Sequence, residues 1–526
     1  MLRRITTGAL LAGAFSLSAA AAFAQQQDAP ASAPAATESP SPPVAPPVAP
    51  PLAAAPVLTQ PGASAPIPAP STGAAPAPAP TAAAPAPVPA PSTGAAPALA
   101  PTAAAPAPVP APSTGAAPAP APTAAAPAPI PASAALPPGS PLADRPANNP
   151  AAAKLAPVPA PPIAAAADKL PLDKLKVPAG FKIEVYASGI ADARSLAQND
   201  DGSVIFVGNR VRDKVYAIVN KDGKREVKIV AQGLYRPNGV AFKNGTLYIA
   251  ELYQIDKIDN VLANLANGPQ KPTVIIPGLP KDEAHGWKYL AIGPDNKLYF
   301  EVGQPGNNVL HDQDHGLLHR ANLDGSGMEV IATGIRNTVG FDWSPKTKEL
   351  YFTDNGRDWM SEDLPNDELN RITRLGEDFG EPYCHQGNIP DPTFGWGHDC
   401  KDYVPPIALM GPHAAALGMK FYTGSMFPAD YRDNIIVARH GSWNKTKKFG
   451  GDVVMVHVNK DGNAGAIEPI VTGFLQPDNN YIGRAVDVMV MKDGSLLISD
   501  DWNGAVWRLS YEHAAVARAG DRHHAR

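Results

Sequence analysis

The stretch "AIGPDNKLYFEVG", residues 291–303, decides the fold. A short apolar run meets a Pro-Asp-Asn turn, and "KLYFEV" then runs to a glycine. Asp and Asn accept the tight backbone angles of a short turn, so the stretch reads as two antiparallel strands joined end to end. The same sentence recurs. "NDDGSVIFVGN" spans 199–209, "PNGVAFKNGTLYIAE" 237–251 and "GFDWSPKTKELYFTDNG" 340–356; "MFPADYRDNIIVARHG" spans 426–441 and "VMKDGSLLISDDWNG" 490–504. The six units are spaced roughly 40–60 residues apart, about the length of a four-stranded propeller blade, with one longer gap over 357–425. Six repeats predict an all-β, six-bladed propeller. A β-sandwich would need no recurring unit of this length. Helical signals are weak, and "DNVLANLANG" (259–268) is expected to form at most a short helix in a loop.

The propeller is expected over 172–512, with a flexible tail at 513–526. Ahead of it, "MLRR" is a basic n-region, "ITTGALLAGAFSLSAAAA" a short apolar stretch, and "AFA" a small-x-small cleavage site. Residues 1–24 therefore read as a secretory signal peptide, which places the protein in the periplasm or outside the cell. Residues 25–171 are mostly Ala and Pro, and "STGAAPA" returns at Ser71, Ser92 and Ser113, every 21 residues. Proline at such density removes backbone donors and fixes φ, and there are few large side chains to bury. A disordered, polyproline-like linker is expected rather than a solenoid. It would serve as a tether to the cell wall or envelope, or as a ligand for a proline-reading domain. No later run of about 20 apolar residues occurs, so no transmembrane segment is expected in the mature chain. The 44 Lys and Arg against 49 Asp and Glu give a net charge of −5, without the basic footprint that nucleic acid requires. The two cysteines, Cys384 and Cys400, flank "HQGNIPDPTFGWGHD". In an exported chain they are expected to pair as a disulfide; the alternative is a metal site completed by His385 or His398.

Propeller loops gather at the ends of the central channel, so polar residues at equivalent loop positions converge from distant points in the chain. Those positions hold Arg194, Arg210, Asn238, His285, Arg336, Asn337, His413, Arg439, His440 and Arg484, together with the acidic run "TDNGRDWMSEDLPNDELN" at 353–370. Guanidinium groups match carboxylates, Asp/Asn/Gly loops suit a hard cation such as calcium, and histidine supplies a base near neutral pH. A polycarboxylate cofactor with a divalent cation and a catalytic base would use all three. Each residue also has a plainer reading: a single arginine before a strand is commonly a turn residue, and His440 reads equally well as a satisfied core histidine.

In order along the chain stand "PAGFKIEVYASG", "ARSLA", "RPNGVAF", "HGWKYLAIGPDNKLYFEVG", "GIRNTVGFDW", "ELYFTDNG", "NDELN", "GEDFGEP" and "GRAVDVMVMKDGSLLISDD". Over about 178–510 these make the domain resemble the soluble glucose/sorbosone dehydrogenases, six-bladed propellers that use pyrroloquinoline quinone (PQQ) and calcium. "ARHGSWN" makes it look closest to the L-sorbosone dehydrogenase-like branch. The resemblance implies that His285 is the catalytic base and that Arg336 lies over the quinone oxygens, with Asn337 beside it. It implies that Arg484 holds a cofactor carboxylate, that Asp367 lines the site, and that the backbone carbonyls of Gly356 and Arg357 hold calcium. Glucose-oxidising relatives carry a second arginine where this chain has Val486, and a fifth-blade lysine for which Arg439 or Lys445 is the candidate replacement. The implied function is oxidation of an aldose or sugar aldehyde to a lactone or acid, with electrons passing to a respiratory acceptor. The alternatives are a metal-dependent lactonase and a non-enzymatic binding propeller.

Overall fold

The computed structural model describes residues 155, 157–161, 163–310, 312–358 and 360–512. The signal segment, the Pro/Ala tract up to residue 154 and the tail from 513 lie outside the described residues.

Six four-stranded antiparallel sheets form the propeller. Blade 1 comprises Ala193–Gln198, Val204–Asn209, Lys214–Lys221 and Lys224–Gln232; blade 2 comprises Gly239–Lys243, Thr246–Ala250, Ile255–Ile258 and Thr273–Ile276. Blade 3 is Leu290–Ile292, Lys297–Val302, Leu317–Asn322 and Glu329–Thr333; blade 4 is Phe341–Trp343, Leu350–Asp354, Asn366–Ile372 and Ala408–Pro412. Blade 5 is Ala416–Phe421, Ile435–Arg439, Asp452–Val458 and Ala464–Val471. Blade 6 takes three strands from the C-terminal end, Ala485–Val490, Leu496–Asp500 and Ala505–Tyr511, and its outermost strand, Phe181–Ser188, from before blade 1. That pairing of distant segments closes the ring. The first strands of neighbouring blades lie against one another and so line the channel.

The core is divided between the blades. Leu298, Phe300 and Val302 pack with Ala241, Tyr248 and Ala250 of blade 2, while Tyr299, from the same strand, packs with Phe341 and Phe352 of blade 4. Alternate residues of a strand point to opposite faces, and an inner blade is covered on both. This is why "LYF" is apolar throughout. Equivalent clusters fill the other interfaces, the largest between blades 5 and 6 around Phe474, Trp507 and Leu509.

Two departures concern connections. The long gap in blade 4 is an insertion between its third and fourth strands. It holds the hairpin Cys384–His385/Ile389–Pro390 and a disulfide between Cys384 and Cys400, with Cα atoms 5.5 Å apart. Its Glu377–Asp378 segment adds to blade 3 in parallel. The end of the expected linker is also ordered on the propeller. Ala165 donates its N–H to Asn503 O at 2.9 Å, and Leu170 is buried in the core between blades 5 and 6. A leucine that can leave water gains enough free energy to dock a segment whose neighbours, being Ala and Pro, lose little side-chain entropy. The stretch at 259–268 contains only a short 3₁₀ turn, Leu265–Asn267.

Candidate active site

A recurring carboxylate builds the site. The second strand of a blade ends in an acidic residue that accepts N–H bonds from the loop entering the same blade. Glu301 takes the N–H of Tyr289 at 2.9 Å. Asp354 takes those of Arg336 at 3.0 Å and Asn337 at 2.6 Å, and Asp500 takes that of Arg484 at 3.0 Å. Residues far apart in sequence are thereby fixed around one end of the channel, where they wall a cavity of about 640 Å³. Val339 and Leu417 add an apolar patch to the wall and pack behind it on Val486 of blade 6.

His285 lines this cavity in the left-handed region, at φ 52°. Its Nδ1 lies 2.9 Å from the carbonyl of Gln304. A carbonyl only accepts, so Nδ1 carries the proton and Nε2 is left as a bare lone pair. Nε2 has no hydrogen-bond partner among the described residues. Burial, and next the Arg336 charge, push the His285 pKa down to about 3. The ring is therefore a neutral proton acceptor throughout the physiological range. The loop can approach because residue 303 is glycine: a Cβ there would sit 2.7 Å from both His285 Cβ and its carbonyl oxygen.

Four guanidinium groups reach the cavity wall, from Arg194, Arg210, Arg336 and Arg484, against two carboxylates, Asp358 and Asp367. Arg336 is heavily engaged. Its Nε donates to Asn307 O at 2.8 Å, Nη1 to Asn355 O at 3.1 Å, and Nη2 to Asn307 Oδ1 at 3.0 Å and Asp358 at 3.2 Å. Arg194 pairs with Asp501 at 3.0 Å, which also holds His440 Nε2 at 2.9 Å. Arg484 and Arg210 differ. Arg484 is only 6% exposed, yet its guanidinium makes no direct ion pair among the described residues; it donates to the backbone carbonyls of His440 and Gly441 and lies over the ring of Tyr481. Burial lowers its pKa. Arg210 sits over Trp287, 5.1 Å from the ring centroid, also without an ion-pair partner among the described residues. Asp501 acts on both at longer range, and Asp192 on Arg210, but neither guanidinium is closed off by a direct ion pair among the described residues, so both stay available to an anionic ligand.

The other expected site residues divide. Asn337 lines the cavity, and its buried side-chain oxygen has no partner. Gly356 lines it too, held by its N–H to Asp367 Oδ1 at 3.0 Å. Asp367 also takes the N–H of Ala416 at 3.1 Å, and burial raises its pKa to about 7. Arg357 turns its side chain away, to Asp391 at 2.5 Å. Arg439 is not brought to the cavity. The hairpin register sets Asp452 opposite it, their side chains bond at 2.5 and 2.7 Å, and its guanidinium covers Phe449. Lys445 is likewise spent on Glu362 O and Asp363. His413 lines the cavity, donating from Nε2 to Ser361 O at 2.8 Å while Nδ1 accepts from Asn444 at 3.3 Å. Asp358 comes from the acidic run at 353–370, whereas sequence reading missed Trp287, Trp443 and Asn444 in the wall, along with the positioning carboxylates Glu301 and Asp500. The Asp or Glu that recurs at the end of the second strand in blades 2, 3, 4 and 6 was the signal that could have found the latter.

Comparison with known proteins agrees with this arrangement. A family model described as Glucose / Sorbosone dehydrogenase matches residues 264–508. An uncharacterized protein of Borreliella burgdorferi is 31% identical over 352 residues, 64% of this chain and 91% of that relative. This chain belongs to the glucose/sorbosone dehydrogenase family. Quinoprotein glucose dehydrogenase B of Acinetobacter calcoaceticus is 31% identical over 148 residues, 22% of this chain and 29% of that protein. Among solved structures, the calcium structure of a Trichoderma reesei enzyme of Carbohydrate-Active Enzymes Family AA12 aligns with TM-score 0.55 at 16% identity, over 64% of this chain and 97% of that one. The holo form of the pyranose dehydrogenase PQQ domain from Coprinopsis cinerea aligns with TM-score 0.54 at 18% identity, over 64% and 97%. At these identities the two structures speak for the fold that this dehydrogenase family member shares with them.

Proposed function

We propose that this chain is a quinoprotein that oxidises the C1 hydroxyl of an aldose, or of a hydrated sugar aldehyde of the sorbosone type, to a lactone or acid. The observation that carries the reading is the bare Nε2 of His285 in a cavity walled by arginines, two of which make no direct ion pair among the described residues. The residues fit PQQ on the chemistry of the donor set. Arg484 and Arg210 would hold its carboxylates, and the unpartnered amide oxygen of Asn337 would face a ligand polar group. No group of three His, Cys, Asp or Glu side chains placed to hold a metal occurs among the described residues, so calcium would be held at backbone carbonyls, with that of Gly356 at the cavity wall. Arg210 from blade 1 would stand in for the cation lost at Val486.

When bound, the quinone supplies the hydride acceptor. The chain supplies the rest. His285 Nε2 accepts the proton of the substrate hydroxyl as the C–H bond breaks, and Nδ1–H···O=C of Gln304 keeps the ring in the tautomer that makes this possible. Arg336, fixed by Asn307, Asn355 and Asp358, adds positive charge where negative charge gathers on the acceptor. The apolar patch of Val339 and Leu417 excludes water from that part of the wall. A lactonase would call for an acid-rich centre, whereas Asp367 is committed to two backbone N–H groups and Asp358 to Arg336. The disulfide supports an oxidising compartment, periplasmic or secreted. No helix among the described residues is long and apolar enough to cross a membrane.

The test is dye reduction by the chain reconstituted with PQQ and Ca²⁺, across a panel of aldoses and sorbosone. Activity that requires both additives is expected. Full activity without PQQ, or no PQQ binding, would contradict the reading.

A further inference from the structure

The chain that leads into the propeller lines the cavity at Pro157–Pro159 while staying exposed to solvent, as a segment at its opening does. Pro157, Val158 and Pro159 line it together with Arg210, His440, Trp443 and Arg484. The segment is held on its C-terminal side. Ala160 is buried, Ala164 packs where a Cβ on Gly504 would fall 2.6 Å from its own, and Ala165 bonds to Asn503 O at 2.9 Å. Farther on, Leu170 and Leu175 enter the core between blades 5 and 6. The rim it makes differs from the rest of the wall. Pro157 and Pro159 have no N–H, and Val158, 55% exposed, offers only methyl groups. Proline fixes φ, so the rim yields little to a ligand pressed against it.

Resting on the sugar-oxidoreductase reading above, we propose that Pro157–Pro159 is a specificity-determining rim of the substrate site. It admits a monosaccharide or small hydrated aldehyde and rejects a sugar carrying a second ring. A one-ring substrate keeps its hydroxyls among polar wall residues such as His285, His413 and Asn444. A second ring must leave through the mouth, where its hydroxyls lose water against a stiff apolar lip that has few donors to replace it.

The experiment uses the full mature chain loaded with PQQ and Ca²⁺, in three forms: unaltered, with Pro157→Gly, Val158→Gly and Pro159→Gly combined, and with Val158→Trp. Two quantities are read: kcat/KM for glucose and for maltose, and calorimetric affinity for the unreactive 1-deoxy analogues of the two sugars. PQQ uptake, followed by absorbance, is expected to be equal in all three. The glycine form is expected to raise the maltose-to-glucose ratio by about 10-fold or more in both quantities, and Val158→Trp to lower it. A ratio constant within about 2-fold across the three forms, with PQQ bound normally, would overturn the rim while leaving the quinoprotein reading intact. An unaltered chain that takes up no PQQ and oxidises neither sugar would overturn that reading, and the rim with it.

Discussion

At the scale of single residues, the site is defined by groups held against their ordinary preferences. His285 occupies a left-handed conformation that costs a non-glycine residue on the order of 1 kcal/mol, and its ring stays neutral down to a pH near 3. Arg484 is a cation buried with its guanidinium bonded to two carbonyls, and Asp500 and Asp501 act on its charge without a direct ion pair. Replacing it by glutamine keeps most of the volume and removes the charge. Arg484→Gln is expected to weaken PQQ binding by about 2–5 kcal/mol, read by equilibrium titration. Unchanged affinity would mean that the carboxylates lie elsewhere. The sequence motifs pointed to His285, Arg336, Asn337 and Arg484, and all four reach the cavity. They could not show that Arg439 is spent on Asp452, because that pairing depends on the register of a hairpin whose loop spans Gly441 to Gly451.

At the scale of elements, hairpins carry the site and an insertion braces it. The short apolar run in "KLYFEV" and its five counterparts, each bounded by turn residues, was enough to read the strands. The glycine closing the blade 3 hairpin has a function beyond the turn: it lets the His285 loop approach. Gly303→Ala would place a Cβ 2.7 Å from His285 Cβ and 3.0 Å from Arg336 O, so the backbone must move. A stability loss of about 1–3 kcal/mol is expected in urea, with a larger proportional loss of activity than of fold. Normal activity in this variant would show that the His285 loop is not held at this contact. The disulfide insertion was legible as a cysteine pair but not as a brace. Inside it, His385 bridges Glu381 at 3.0 Å and Asp391 at 2.7 Å, and Asp391 holds Arg357 beside Gly356. Burial alone would lower the His385 pKa, but the two carboxylates overcome it and hold it at about 9. A folded-state pKa above the unfolded value of about 6.5 means stabilisation that is complete below pH 6.5 and lost as pH rises through 9. Denaturation midpoints should therefore fall by the equivalent of about 1–3 kcal/mol between pH 6.5 and 10, and His385→Gln should flatten that slope. The same slope in the variant and the native chain would rule this assignment out.

At the scale of the whole molecule, six blades were countable in the sequence because each repeats one hairpin, but the closure of the ring was not. The strand Phe181–Ser188 has no local partner, and only its register with Ala505–Tyr511 shows that it completes blade 6. The domain boundary was hidden for a related reason. Residues 157–171 share the Ala/Pro composition of the tract before them, and only docking of Leu170 and the cavity-lining position of Pro157–Pro159 separate them from it. The account as a whole claims that a ring of blades brings one base and an arginine wall around a bound quinone. Its most direct test is rapid mixing of glucose or sorbosone with the PQQ- and Ca²⁺-loaded chain, following quinone reduction by absorbance in a single turnover, beside His285→Ala. The account predicts equal PQQ affinity in both proteins and a reduction rate lower by about 10²–10⁴-fold in the variant. Quinone reduction at an undiminished rate in His285→Ala would contradict it.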